Sequence, residues 1–129
     1  MLRGKISTNS TDLFNALTPF LKQEISLASL ELLVIDLPQF AAFHSALGTR
    51  KSRLALLVKW TDKSGHCGYG ECACRPDPFF FSEFIEAAEL AIEHFLFPAI
   101  KHCKNYGQVL EQMKKIRGWN FAKTAVEAA

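Results

Sequence analysis

The sequence predicts an α+β fold in which a three-stranded antiparallel meander sheet is followed by a layer of three helices. Two observations carry this prediction. Apolar residues first form strand-like segments separated by turn residues, and from Phe84 onward they recur at helical spacing. Strands and helices are therefore segregated along the chain, which is typical of an antiparallel sheet with helices on one face. A length of 129 residues suits one compact domain.

Three segments predict the strands. The first, "SLASLELLVIDLP", is strongly apolar and stops at Pro38, and the next residues, "QFAAFHSALGTR", are expected to form a loop. In "SRLALLVKW", alternate residues from Leu54 to Trp60 share one face, and the turn residues "TDKSG" then precede a partner strand, "HCGYGECA". Because Gly68 and Gly70 weaken a strand, we expect another part of the chain to approach its backbone there.

The first helix of the layer is expected to follow a Pro-bent loop at residues 75–78. Ser82 is its expected cap, and Glu83 and Glu86 would occupy the first turn, where the helix dipole favours acidic side chains. Apolar residues at helical spacing are expected to face the core: Phe84, Ile85, Ala88, Ile92, Phe95, Leu96 and Ala99.

Two further helices complete the layer. The second is expected at about residues 107–116, with Gly118 just past its end. Asn120 is expected to cap the third, "FAKTAVEAA", which is still in progress at the last residue, so we expect the domain to be one end of a longer protein.

Residues 1–25 are expected to form a leader with a short amphipathic helix, ahead of the main domain at 26–129. "STDLFNALTPFLKQE" places apolar residues on one helical face, and Ser10 or Thr11 could cap it. Pro19 should kink or end this helix. A membrane-surface helix would carry more Lys and Arg on its polar face, so we expect this helix to dock on the protein.

Composition excludes several classes of function. The 15 basic and 13 acidic residues give a net charge of +2 without a basic stripe, so nucleic-acid binding is not expected. No apolar run is long enough for a membrane span, and the first residues lack the apolar core of a secretory signal. We therefore expect a cytoplasmic protein whose four cysteines stay reduced.

Local patterns give little support for metal or thiol chemistry. The Cys72-x-Cys74 spacing is too short for a typical structural zinc pair, and a second pair is missing. A nucleophile pair of His44 with Cys67 or Cys103 has no orienting partner nearby in sequence. A small zinc or thiol enzyme is thus a weak alternative, and we expect neither a catalytic residue nor a metal ligand in this chain.

Four motifs in order resemble the N-terminal capping domain of the enolase superfamily, in its muconate-cycloisomerase-like branch, with the o-succinylbenzoate synthases and N-acylamino acid racemases most similar. They are the strand end "DLP" with the loop "FHSALGT", the hairpin "GYGEC", the Pro-aromatic loop, and the helix "GWNFAKTAVEAA". The resemblance covers about residues 26–129. It implies that two loops close over a (β/α) barrel and contact substrate, with the contacting residues Phe43, His44, Leu47, Arg75, Phe79 and Phe80.

The resemblance also implies what this chain would need from elsewhere. In the family, the barrel supplies the lysine bases and the acidic ligands of Mg²⁺, and none of these positions is present here. The isolated chain is therefore expected to be non-catalytic. Its expected partners are the barrel domain, a small carboxylate substrate bound through that barrel, and further copies of itself through exposed apolar surface. The alternative is a stand-alone binding module derived from this domain.

Overall fold

The computed structural model describes the backbone of residues 10–129 and side chains from Asn15 onward, so Leu13 and Phe14, two of the apolar residues on the predicted face of the first helix, have side chains outside the described part. The strands β1 (Leu27–Ser45), β2 (Gly48–Asp62) and β3 (Cys67–Cys72) form one antiparallel sheet in the order β1-β2-β3. The helices are α1 (Ser10–Lys22), α2 (Ile85–Ala91), α3 (Phe97–Ile100), α4 (Tyr106–Lys114) and α5 (Asn120–Ala128). The predicted α+β fold is confirmed.

The first predicted loop is wrong, because residues 39–50 extend the hairpin of β1 and β2. After an irregular stretch between Pro38 and Phe43, pairing resumes with Phe43 opposite Arg50 and ends with Ser45 opposite Gly48. The turn is only two residues long, and Gly48 has φ +109°, a value that favours glycine. The motif "FHSALGT" therefore lies at the tip of a two-stranded arm, residues 39–50, rather than in an irregular loop.

One face of the sheet carries the core. Leu56 and Val58 of β2 are fully buried, and their β3 partners Cys72 and Gly70 are buried with them. The alternation predicted for β2 is thus confirmed at these positions. Trp60, next on the same face, is partly buried.

Helix α5 packs directly on β3, as the two glycines of that strand predicted. A Cβ atom on Gly68 would lie 1.7 Å from the carbonyl oxygen of Ala129, and one on Gly70 would lie 1.8 Å from that of Ala125. Any side chain at these positions would collide with the helix backbone. The glycines therefore permit a helix–strand approach that no other residue type allows.

The helical stretch at residues 85–100 departs from two predictions. It begins at Ile85, with Phe84 as the N-cap residue and no side-chain cap, so Ser82 does not cap it and Glu83 precedes it. Phe95, predicted to face the core, is 64% exposed. It belongs to a π-helical segment (Ile92–Leu96) between α2 and α3, and the wider turn moves it out of the core-facing register.

Pro98 gives a physical reason for the π-helical segment. Proline lacks an N–H group, and its ring clashes with the carbonyl four residues earlier in a regular helix. A wider turn just before Pro98, which lies in α3, relieves that clash while the helix continues. Leu96 and Ile100 remain fully buried on either side of it.

The N-terminus of α5 is capped from another part of the chain. Asn120, the predicted cap, is the first helical residue, and the N-cap residue is Trp119, which has φ +58° and makes no side-chain cap. The Glu83 carboxylate instead accepts hydrogen bonds from the backbone N–H groups of Asn120 (2.5 Å), Phe121 (3.0 Å) and Ala122 (3.3 Å). Glu83 is only 6% exposed, so this tie between two segments is buried.

Helix α1 lies against α4 and does not end at Pro19, since it continues to Lys22. The backbone N–H of Ile25 donates to the carbonyl of Lys104 (3.0 Å). A Cβ atom on Gly107 would lie 3.0 Å from the carbonyl oxygen of Leu21, so the two helices approach closely. Through these contacts α1 is joined to the helical layer.

Candidate functional site

A cavity of about 900 Å³ opens between the tip of the β1–β2 arm and the segment that follows β3. The sheet supplies one wall through Asp36 and Leu54, which face each other across β1 and β2. The segment after β3 supplies a second part of the lining. Most of the lining surface is apolar, as is usual in a small-molecule site, but three arginines and Asp36 also line the cavity.

Four of the six predicted contact residues line this cavity. Phe43 and Leu47 come from the arm, and Arg75 and Phe80 come from the segment after β3. The two parts of the chain that the motifs singled out therefore face one space. Whether these residues contact a substrate stays a prediction.

The other two predicted residues do not line the cavity. The His44 ring nitrogen Nδ1 is 2.8 Å from the hydroxyl of Thr49, across the hairpin, and this hydrogen bond ties the two strands of the arm together. Phe79 is 81% exposed and is not among the lining residues. Consecutive residues in an irregular segment diverge, so Phe79 and Phe80 have different surroundings.

An ion pair fixes the predicted residue Arg75. Its Nε and one terminal nitrogen donate to the two carboxylate oxygens of Asp77, at 3.2 and 3.1 Å. These hydrogen bonds hold the pKa of Asp77 below its ordinary value, and the backbone N–H of Phe79 also donates to that carboxylate. The bidentate pair therefore orients the guanidinium and neutralises much of its charge.

Arg50 is a cavity residue that the sequence reasoning missed. Its guanidinium carbon lies 5.3 Å from the centroid of the Phe43 ring, a cation–π contact at the arm's tip. Among the residues that the structure describes, Arg50 forms no ion pair, whereas Arg53 is paired with Glu71 and Arg75 with Asp77. The sequence signal that could have identified Arg50 is its position directly after the "GT" of the motif "FHSALGT".

Helix α5 also contributes to the lining of the cavity. Phe121 of that helix lines the cavity and meets Phe81 edge to face, with ring centroids 5.2 Å apart. Phe121 is also one of the residues whose backbone N–H is held by Glu83. The buried cap therefore positions an aromatic ring in the cavity wall.

Other features of the described residues do not add a second candidate for catalysis. A smaller cavity of about 380 Å³ lies near Trp60, Tyr106 and the end of α5. Among the described side chains, from residue 15 to 129, there is no group of three or more His, Cys, Asp or Glu residues placed to hold a metal ion. In the same part of the chain, no helix is long and apolar enough to cross a membrane.

Comparisons with known proteins agree with this fold. No protein-family model matches the sequence. The chain is 31% identical over 107 residues to an N-succinylamino acid racemase of Amycolatopsis sp., covering 81% of this chain and 29% of that protein. It is 30% identical over 96 residues to an o-succinylbenzoate synthase of Listeria innocua, covering 73% and 26% respectively.

Solved structures give the same answer. An enolase-superfamily member from Listeria innocua superposes with a TM-score of 0.72 and 29% identity, over 81% of this chain and 29% of that one. The L-Ala-D/L-Glu epimerase of Bacillus subtilis superposes with a TM-score of 0.71 and 29% identity, over 81% and 30%. The chain belongs to the enolase superfamily. This enolase-superfamily domain corresponds to the N-terminal domain of its relatives, which confirms the resemblance, and it spans less than a third of their length.

Proposed function

We propose that this domain caps the active site of a Mg²⁺-dependent lyase or isomerase of the enolase superfamily that acts on a carboxylate substrate. The reaction would be a dehydration, a racemisation or a cycloisomerisation, and the cap would help to set specificity. The observation that carries the proposal is the shared cavity, in which the arm and the segment after β3 face one largely apolar space that three arginines also line. The name of the racemase relative supplies racemisation, and the other two reactions are those that the family resemblance implies.

The cavity residues divide into two roles in this proposal. Phe43, Leu47 and Phe80 form an apolar cover that keeps water away from the reacting atoms, which strengthens electrostatic interactions beneath it. Arg50 supplies the positive charge for a substrate carboxylate, because its guanidinium is the one left without an ion pair among the described lining residues. Arg75, held by Asp77, shapes the wall.

The metal and the proton-transferring groups would come from the barrel. The described residues do not fit Mg²⁺, since they contain no cluster of acidic side chains that could hold it. We therefore assign this chain no catalytic residue and expect it to have no activity alone. Its contribution is to enclose and orient the substrate.

The barrel is the proposed partner of the arm side of the domain. Phe40 and Phe79 are almost fully exposed there, and Leu37 is 45% exposed. Helix α1 lies against α4 rather than over these residues. This placement supports a lid that needs a partner over a stand-alone binding module, and further apolar surface could serve contacts between copies. We place the assembled enzyme in the cytoplasm.

A ligand titration tests this function on the chain itself. ¹H–¹⁵N NMR spectra would be recorded with an N-succinylamino acid, the substrate class named by the Amycolatopsis relative. We expect shifts confined to the backbone signals of the cavity residues and weak binding, with a dissociation constant on the order of 1–10 mM, because the barrel half of the site is missing. A neutral analogue, the corresponding succinamide ester, is the ligand control.

Two neighbouring substitutions provide the matched protein control. Arg50→Gln should weaken binding at least several-fold, whereas Lys51→Gln, which removes an equal charge from an exposed residue outside the lining, should leave it nearly unchanged. Equal effects of the two variants would indicate a nonspecific charge effect. Shifts that avoid the cavity altogether would contradict the assignment of this site.

A further inference from the structure

Two thiols lie side by side where β3 leads into the cavity wall. The Sγ atoms of Cys72 and Cys74 are 3.4 Å apart; Cys72 is the last residue of β3, and Cys74 lies two residues beyond the end of the strand. A disulfide requires an S–S distance of about 2.05 Å, so a modest movement would bring the sulfurs to bonding distance. The other two cysteines of the chain, Cys67 and Cys103, do not share this arrangement.

The two thiols differ in their access to the cavity. Cys74 lines the cavity and is 7% exposed, whereas Cys72 is fully buried behind it. A reagent that enters the cavity therefore meets the Cys74 sulfur first. The Cys72 sulfur can reach only a group that is already attached to Cys74.

The protonation behaviour of the pair limits the rate of any reaction at neutral pH. Burial raises the pKa of both thiols, and it raises that of Cys72 to about 12. The hydrogen bond between the sulfurs opposes the rise at Cys74, since the thiol of Cys72 can donate to a Cys74 thiolate. Only the thiolate is nucleophilic, so both thiols react slowly at neutral pH, and the order in which they react follows from their access to the cavity.

We propose that Cys72 and Cys74 form a dithiol exchange site that reacts with small disulfides entering the cavity. The Cys74 thiolate attacks one sulfur of the small disulfide, the S–S bond breaks, and one thiol leaves while the other stays bound to Cys74. The Cys72 thiolate then attacks the Cys74 sulfur and releases the second thiol. The protein loses two hydrogens and is oxidised, and the small disulfide is reduced to two thiols.

The reaction would alter the wall of the cavity. Arg75 follows Cys74 directly, and its carbonyl accepts a hydrogen bond from the backbone N–H of Ile85 (2.9 Å). Drawing Cys74 toward Cys72 pulls on this connection and displaces the Arg75 side chain. This regulatory consequence rests on the proposed function, but the exchange chemistry itself does not.

Oxidised glutathione is the probe for the test. In a Cys67→Ser/Cys103→Ser background, the chain would be incubated with it at pH 7 to 9, quenched in acid, alkylated and mapped by peptide mass spectrometry. We expect a Cys72–Cys74 disulfide whose rate of formation rises about tenfold per pH unit, as the thiolate fraction does below the pKa. Further replacement by Cys72→Ser should trap a glutathione adduct on Cys74.

The reciprocal variant decides the order of events. With Cys74→Ser in the same background, we expect no adduct on Cys72 over the same time, and circular dichroism would verify that each variant is folded. An equally fast adduct on Cys72, or a disulfide that forms in urea but not in the folded chain, would overturn the inference. If the disulfide forms but an N-succinylamino acid does not slow it, the exchange site stands and the proposed function fails.

Discussion

Replacing Glu83 by alanine is expected to lower the free energy of unfolding by about 2 kcal/mol. The carboxylate is 6% exposed and accepts three backbone N–H groups at the start of α5. Loss of an N-cap acceptor costs roughly 0.5–2 kcal/mol. Loss of a negative charge at a helix N-terminus adds about 0.3–1 kcal/mol. For a domain of this size, the sum corresponds to a fall in Tm of roughly 5–10 °C.

Urea and thermal unfolding followed by circular dichroism would measure this loss. Glu86→Ala is the matched control, because Glu86 is an exposed acid in the first turn of α2 and should change stability by no more than about 0.5 kcal/mol. Glu83→Gln keeps one acceptor oxygen and should fall between the two. If Glu83→Ala is no more destabilising than Glu86→Ala, the buried cap does not hold α5 and the reasoning is refuted.

Three further predictions test the packing and the charge pair. Gly70→Ala should lower the free energy of unfolding by about 1–3 kcal/mol, because its Cβ would lie 1.8 Å from a carbonyl oxygen of α5. Unchanged stability in urea would contradict the close packing of α5 on β3. Phe95→Ala should lower the free energy of unfolding far less than Leu96→Ala, for which a loss of about 2–5 kcal/mol is expected. Equal losses would indicate that Phe95 is part of the core. The Arg75 hydrogen bonds lower the pKa of the Asp77 carboxyl. The ionised carboxyl should therefore stabilise the loop fully above pH 3.8, the ordinary pKa, and this contribution should be lost as the pH falls through the lowered pKa. An NMR titration midpoint that does not rise in Arg75→Gln would contradict this.

The sheet and the helical layer could be predicted from the sequence because the residue patterns that indicate them are local. Alternation along β2 and the glycines of β3 report which side of each strand is covered, and the helix contact at Gly70 fulfilled that expectation. The residues that cap the helices could not be predicted in the same way. Ser82 and Asn120 are good capping residues by type, yet the acceptor at α5 is Glu83, which is 37 residues away from Asn120 in sequence. No short-range pattern encodes such a contact.

In the candidate site, too, the sequence motifs predicted which chain segments take part but not how each side chain is used. The motifs identified the two chain segments that face the cavity, and Phe43 and Phe80 lie there. They did not show that His44 would be used within the hairpin, through Thr49, because this depends on the register across the arm. Arg50 was missed because an isolated arginine has no distinguishing pattern until its partners are known.

Stability and cavity shape are linked in this domain through α5. Glu83 holds the first turn of the helix, and Gly70 sets its distance from β3. Phe121 on the same helix lines the cavity and contacts Phe81. A substitution that displaces α5 must therefore move an aromatic wall of the candidate site even if it touches no ligand. Variants at Glu83 should consequently alter the affinity for an N-succinylamino acid as well as the Tm, whereas Leu96→Ala, away from the lining, should lower the Tm with little change in affinity at temperatures where the protein remains folded.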